Sequence, residues 1–352
     1  WVERGLIVLL IYFNLSIPAR FVIRKFIHHD LAWLKSLLVF PGTTWFITLI
    51  MMFSLFVVKD LAGWILSFFK YDGFDQSRRA FLQAAGAFSV GAPLILTGYG
   101  ALKTARDYKV KRVEIPFKNL PRSLDGFTIA QISDIHSGTF MNEAEMISIR
   151  EIMDSQHPQI AVMTGDFVDT ASREIEPVAR VFSKIKTDYG IFGCMGNHDL
   201  FDNYKVVSAA MKDSGITMLE NANQILRVNG DNLNLLGVND GRLANLDKTL
   251  NGVDPDEFKV LLAHRPEFFP QSFKDGIDLQ LSGHTHGGQL GLNFFGIPLS
   301  PMQIFHKYIY GLYKEGKSHL YVNPGVGMVF APIRIGIRPE ITLITLRSSR
   351  AD

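Results

Sequence analysis

FTIAQISDIH (127–136), QIAVMTGDFVD (159–169) and GIFGCMGNHD (190–199) decide the reading of this chain. Each is an apolar run of strand length that ends in charged or polar residues. Helical stretches at 142–155 and 174–187 separate them, and KVVSAAMKDSG (205–215) reads as a further helix. Strand–helix alternation of this kind makes an α/β layered fold, with ligands at the carboxyl ends of the strands. The later segments are richer in strands. QILRV (224–228) and LNLLGV (233–238) flank Asn229-Gly230, a type I′ hairpin signal, and VLLAH (260–264), LQLSGH (279–284), HLYVNP (319–324) and ITLITL (341–346) follow. The pattern predicts two packed sheets with helices outside.

The polar residues gather where those strands end: Asp134 and His136, Asp166, Asn197-His198-Asp199, His264, and His284 with His286. Asp134 and His136 are two apart, as are His284 and His286, and in extended chain such pairs point to the same side. Taken alone, Asp-x-His suits a surface loop equally well, and Gly165-Asp166 could be a turn. Gly196 lets backbone approach a ligand closely, and two histidines two apart between glycines at 283–288 seldom serve a core. The donors are carboxylates, imidazoles and an amide, a set suited to Mn, Fe or Zn. Cys194 is the one cysteine, which excludes an intramolecular disulfide and any multi-cysteine zinc or iron–sulfur site. Inside an apolar strand it reads as a small core residue.

In order, D-x-H (134–136), G-D (165–166), G-N-H-D (196–199), the lone His264 and G-H-T-H (283–286) resemble the calcineurin-like metallophosphoesterases over about residues 123–347. The resemblance implies a four-layer α/β fold, two β-sheets sandwiched between helices. It implies two divalent metal ions: Asp134, His136 and His286 at one, Asn197, His264 and His284 at the other, and Asp166 bridging. It makes His198 the catalytic histidine, with Asp199 placed to orient it. Hydrolysis would then proceed by a hydroxide generated between the metals, with no Ser or Cys nucleophile.

Hydrophobic residues make up 47% of the 352, which excludes a disordered chain and is high for a soluble enzyme. The excess lies in residues 1–102, expected as a transmembrane region. Residues 80–102 run 23 positions without a charge, enough for a bilayer core of roughly 30 Å. Residues 43–69 read as one tilted span or a span plus an interfacial helix, and 5–17 as the end of an earlier, truncated span. That makes about three spans, and with a first residue of Trp1 the N-terminus reads as incomplete. Ser77-Arg78-Arg79-Ala80-Phe81-Leu82-Gln83 resembles the twin-arginine export signal, which would send the downstream domain across the membrane. The four basic residues at 18–42 (Arg20, Arg24, Lys25, Lys35) pull the other way under the positive-inside rule, so a cytoplasmic face stays open. This anchored start resembles a multi-pass, inner-membrane bacterial branch of the family.

Residues 103–122 carry seven Lys and Arg against Asp107 and Glu114 and read as a basic connector held against anionic headgroups. The catalytic domain is expected at 123–352. It is acidic overall, so no nucleic-acid partner is expected. Residues 289–313 are aromatic and aliphatic, either core or an apolar wall for acyl chains. The expected function is hydrolysis of a phosphodiester or pyrophosphate on a lipid-linked substrate such as UDP-2,3-diacylglucosamine. A tethered phosphodiesterase for soluble nucleotides is the alternative, and a non-catalytic scaffold would need a broken ligand set, which this is not. Membrane lipids are expected partners, and oligomeric state stays open.

Overall fold

Helices close the backbone hydrogen bonds of long uncharged runs internally, and the described parts of residues 2–102 are helical. The computed structural model describes residues 2–26, 35–68, 76–294 and 297–349. Helix α1 spans Val2–Phe26; a π-helical turn, Lys35–Val39, leads into α2, Phe40–Ser67; α3 spans Gln76–Leu102. The windows Leu37–Ile65 and Arg79–Arg106 are long and apolar enough to cross a membrane, and Ile7–Pro18, on the expected partial span, is shorter. Phe53 and Ile95 are 70% and 72% exposed, so the apolar faces of α2 and α3 are not buried as a core. Gly42 lies so close to Ser16 that a Cβ would come within 2.6 Å of the Ser16 carbonyl oxygen; a small residue lets α1 and α2 meet there. Thr48 and Thr97 link α2 to α3 through hydroxyls 2.8 Å apart. Arg78 and Arg79 fall at the start of α3, and the Arg78 side chain lies outside the described residues, as do 27–34 of the basic loop.

The chain divides into two units, Trp1–Ala105 with Phe330–Ile335, and Arg106–Val329 with Gly336–Asp352. The second unit holds β1 (Lys109–Phe117), β2 (Thr128–Ile132), α4 (Glu143–Asp154), β3 (Ile160–Thr164), α5 (Ile175–Phe182), β4 (Ile191–Cys194), α6 (Tyr204–Asp213) and β5 (Thr217–Met218). It continues with β6 (Ala222–Val228), β7 (Asp231–Gly237), α7 (Leu246–Leu250), β8 (Lys259–Leu262), α8 (Phe269–Lys274) and β9 (Leu279–Ser282). The short strands β10 (Leu292–Phe294) and β11 (Ile297–Leu299) pair with each other, and β12 (Gly311–Glu315), β13 (Ser318–Val322) and β14 (Glu340–Ser348) complete it.

Two six-stranded sheets result, ordered β1-β14-β2-β3-β4-β5 and β12-β13-β9-β8-β7-β6. Strand periodicity divides the side chains between layers. Ile129, Ile160, Val162 and Phe192 of the first sheet share one core with Leu235, Val260, Leu262 and Leu279 of the second. The alternate residues Ala130, Ile132, Ala161 and Met163 pack with Met146 and Ile149 of α4, Phe182 of α5 and Met211 of α6. On the far face of the second sheet, Leu236 and Leu261 pack with Leu246 of α7, and Leu320 and Val322 with Phe269 of α8. These are the four layers expected. Cys194 is buried and unpaired within the inter-sheet core. Asn229 and Gly230 have φ of 48° and 98° and form the two-residue loop between β6 and β7, as their turn chemistry requires.

One expectation is corrected here. Most of the basic segment 103–122 is not a connector, because 109–117 is β1, paired in parallel with β14 along nine residues. Its alternate residues Ile115 and Phe117 are buried, and its cations have protein partners. Lys109 Nζ lies 3.5 Å from the buried Glu340 carboxylate, and Lys109 and Lys111 both donate to the Tyr310 hydroxyl at 3.3 Å.

Strands β2, β3 and β4 run parallel to one another, as do β7, β8 and β9. The polar motifs therefore leave each sheet along a single edge.

Candidate metal centre

Where β2 ends, the chain does not stay extended. Asp134 and His136 have φ of 53° and 46°, in the left-handed region that non-glycine residues seldom enter. The same holds for Asp166 (55°), His284 (71°) and His286 (52°). Backbone bonds lock these turns together: the Asp134 N–H donates to the Gly165 carbonyl and the His136 N–H to the Asp166 carbonyl, each at 3.0 Å. The extended-chain rule for residues two apart therefore does not apply. His284 and His286 turn to different groups, His284 toward Asp166 and His264, His286 toward Asp134 and His136.

Around the first group, His136 Nε2 lies 3.0 Å from His286 Nε2, and His286 Nε2 lies 3.4 Å from Asp134 Oδ1. The Asp134 carboxylate also accepts the His284 backbone N–H, at 3.1 and 3.0 Å to its two oxygens. Around the second, His264 Nε2 is 3.2 Å from both Asp166 Oδ2 and Asn197 Oδ1. Asp166 reaches both groups, its Oδ2 being 3.6 Å from His136 Nε2. Asp134, His136, Asp166, His264 and His286 are all buried. Thus all seven residues expected as ligands are brought together.

The donor set fits a pair of cations. Two ligand atoms each about 2.0–2.2 Å from one ion sit roughly 3–3.5 Å apart, which is the spacing among these nitrogens and oxygens. His264 Nδ1 lies 2.6 Å from the Thr164 carbonyl, the kind of outer hydrogen bond that turns Nε2 toward a metal. Burial alone would lower the His264 pKa, but the Asp166 charge outweighs it and pushes it up to about 10. Burial likewise opposes ionisation of Asp166, yet His264 and His136 hold its carboxyl well below the usual carboxylate range. Burial, with the nearby His264 and Arg265 charges, pushes His284 down to about 3.

His198 sits beside the ligands, its ring 4.5 Å from that of His136, and its backbone N–H donates to Asp166 Oδ1 at 2.8 Å. The expected role of Asp199 is corrected. Its buried carboxylate accepts the backbone N–H groups of Asp166 (2.9 Å), Phe167 (2.8 Å), Val168 (3.2 Å) and Gly196 (2.8 Å), so it holds the Asp166 loop rather than the His198 ring. The residue at His198 is instead Asp169, whose carbonyl oxygen is 2.6 Å from His198 Nδ1 and whose carboxylate lies 3.7 Å from His136 Nδ1. Sequence reasoning passed over Asp169, although it closes the same GDFVD run. It also passed over Arg265, which touches Asp240 and His284. Two glycines make the close packing possible. A Cβ on Gly196 would meet Asp166 Oδ1 at 2.3 Å, and one on Gly283 would meet Asp134 Oδ2 at 2.2 Å.

Residues 127–288 match the family described as calcineurin-like phosphoesterase. The chain is 32% identical to the uncharacterized metallophosphoesterase YkuE of Bacillus subtilis (strain 168), over 78% of this chain and 98% of that protein. It is 30% identical to a transmembrane protein with metallophosphoesterase domain of Danio rerio, covering 72% of this chain and 61% of the relative. Phosphodiesterase YaeI of Escherichia coli (strain K12) is 27% identical, over 77% of this chain and 99% of its own length.

Proposed function

The chain belongs to the calcineurin-like phosphoesterase family, whose members are metal-dependent phosphoester hydrolases, and from that premise we propose that it hydrolyses a phosphodiester or pyrophosphate at a dinuclear centre. The observation that carries this reading is the position of Asp166 within reach of both donor groups. Asp134, His136 and His286 would hold one ion, Asn197, His264 and His284 the other, and Asp166 both. Two divalent cations there, Mn, Fe or Zn, would supply Lewis acidity toward phosphoryl oxygens and lower the pKa of a water. His198 Nδ1, donating to the Asp169 carbonyl, fixes the tautomer that leaves Nε2 free to carry a proton. In this reading His198 hands a proton to the departing oxygen, a role worth about 10²–10⁴ in rate. Asp199 positions the loop that carries Asp166.

The finer reading is a membrane-anchored enzyme acting on a lipid-linked substrate such as UDP-2,3-diacylglucosamine. It is supported by the two helices of spanning length and by relatives named as transmembrane proteins. Exposed Leu299, Ile304 and Phe305 supply apolar surface on the stretch leading to His306, whose ring is 6.2 Å from that of His284; Tyr308 and Ile309 beyond it are core. The Ser77–Gln83 pattern favours a catalytic domain on the outer face of a bacterial inner membrane, whereas that particular substrate requires the cytoplasmic face. Protease accessibility in intact cells separates the two.

Purified protein loaded with Mn²⁺ should cleave bis(p-nitrophenyl) phosphate. Asp166→Asn should lower that rate more than about 100-fold, beyond the loss typical of residues behind the ligands, and reduce bound metal. Full metal content with near-normal turnover in this variant would exclude the dinuclear centre. A lipid-linked pyrophosphate assayed alongside a nucleotide diester ranks the substrate classes.

A further inference from the structure

We infer that Arg265, held by Asp240, is a binding site for a second phosphoryl group, making this centre selective for substrates with two linked phosphoryl groups over a lone phosphodiester. The inference rests on the phosphoesterase reading above and names the substrate class of that site.

Arg265 directly follows the candidate ligand His264 at the end of β8. Its Nε donates to both oxygens of Asp240, at 2.8 and 3.0 Å, and its Nη1 lies 3.1 Å from His284 Nε2. The Asp240 carboxylate is only 5% exposed, and Arg265 is its only side-chain partner among the described residues. A carboxylate taken out of water for one contact is costly, so its effect is to fix where the guanidinium stands. Guanidinium carries five N–H donors. Nε–H and one Nη1–H are engaged; the other three have no protein acceptor among the described residues, and the side chain is 40% exposed.

A solvated surface arginine would not stand here by preference. A cation next to two further cation positions is repelled by them, and an anion lying between them reverses the sign. The lone phosphoryl of a diester has two non-bridging oxygens, which a pair of cations held by the two donor groups would take up. The guanidinium needs further acceptor oxygens in a planar pair, and the adjoining phosphoryl of a pyrophosphate supplies them. Hydrolysis of such a substrate adds water across the P–O–P link, breaking one P–O bond and leaving two phosphate monoesters, with no change of oxidation state.

Calorimetric titration of the full-length, Mn²⁺-loaded protein with ADP, taken as its non-hydrolysable α,β-methylene analogue, and with AMP tests this without cleavage of the linked phosphoryl groups, since the two differ by one phosphoryl group. Wild type should bind ADP at least about tenfold more tightly than AMP, the scale of a charged hydrogen bond. Arg265→Gln should bring the two affinities to within about threefold, with metal content retained. Arg265→Lys keeps the charge but not the fork and should recover only part of the preference. Asp240→Asn should weaken ADP more than AMP, and with Arg265→Lys it carries the comparison if Arg265→Gln does not fold. A wild type with no preference for ADP, or an Arg265→Gln variant that keeps one, overturns the inference while hydrolysis of bis(p-nitrophenyl) phosphate leaves the phosphoesterase reading standing. Failure of metal-loaded protein to hydrolyse both that diester and a pyrophosphate overturns the reading itself.

Discussion

Replacing Asp199 with Ala should damage the fold of the metal loop before it damages proton transfer. Four backbone N–H groups, from Asp166, Phe167, Val168 and Gly196, lose their acceptor at once. A buried donor left unsatisfied costs about 1–3 kcal/mol. If water enters the space and serves two of the four, the other two still cost about 2–6 kcal/mol. In a domain of this size 1 kcal/mol shifts Tm by about 2–4 °C, so thermal unfolding followed by circular dichroism should move down by about 5–20 °C. Because the same N–H groups set the position of Asp166, bound metal measured by mass spectrometry should fall together with Tm. Asp199→Asn keeps one acceptor oxygen but turns an amide NH₂ toward backbone donors, so it should lie between wild type and the Ala variant. Rate losses should be equal for good and poor leaving groups. Unchanged Tm and metal content, with a loss confined to poor leaving groups, would refute this account and return Asp199 to the service of His198.

His198→Ala should behave in the opposite way. Metal content should hold, hydrolysis of poor leaving groups should fall by about 10²–10⁴, and activated aryl esters should lose less; equal losses would show that His198 positions phosphate and donates no proton. His319→Leu should change the acid limb of stability. His319 is buried on β13 with its ring 4.9 Å from Phe117, and burial together with Lys314 pushes its pKa down to about 4. The unfolded chain takes up the proton below about pH 6.5 and the folded chain does not, so stability is present above pH 6.5 and lost as pH falls toward 4. The loss is up to about 3 kcal/mol at 1.36 kcal/mol per unit. Denaturant midpoints between pH 4 and 6.5 should flatten in the variant, and an unaltered slope would rule the residue out.

Strand ends that carry charge were the legible part of this sequence, because an apolar run broken by Asp or His is unfavourable unless something at a sheet edge uses it. That logic places Asp166 after β3, Asn197 and His198 after β4, His264 after β8 and His284 after β9, where the structure has them. It fails for β1. Lys109, Lys111 and Arg112 look like a membrane-facing charge run until Glu340, more than 220 residues away, pairs with Lys109 and Gln156 takes the Arg112 guanidinium. It fails again for Asp199, since only tertiary structure brings the N–H groups of residues 166–168 to a carboxylate more than thirty positions on. The pairing of Arg265 with Asp240 is hidden for the same reason: two residues in separate loops carry no shared period.

Backbone strain explains why the directions of the site side chains were not legible even where their positions at strand ends were. Five of them, Asp134, His136, Asp166, His284 and His286, have left-handed φ, at roughly 1–2 kcal/mol each. The sum rivals the entire net stability of an ordinary domain, so it persists only where the surroundings over-determine the turns. They do. The Asp134 loop is tied to the next strand end through the Gly165 and Asp166 carbonyls, and to the segment after β13 through the N–H groups of Val326 and Gly327. It is also tied to the second sheet through the His284 N–H on its carboxylate. Carboxylates and imidazoles held this way keep their separations without further support. The rigidity of two packed sheets is thereby turned into a fixed spacing of candidate ligand atoms, which is what the proposed dinuclear centre would require.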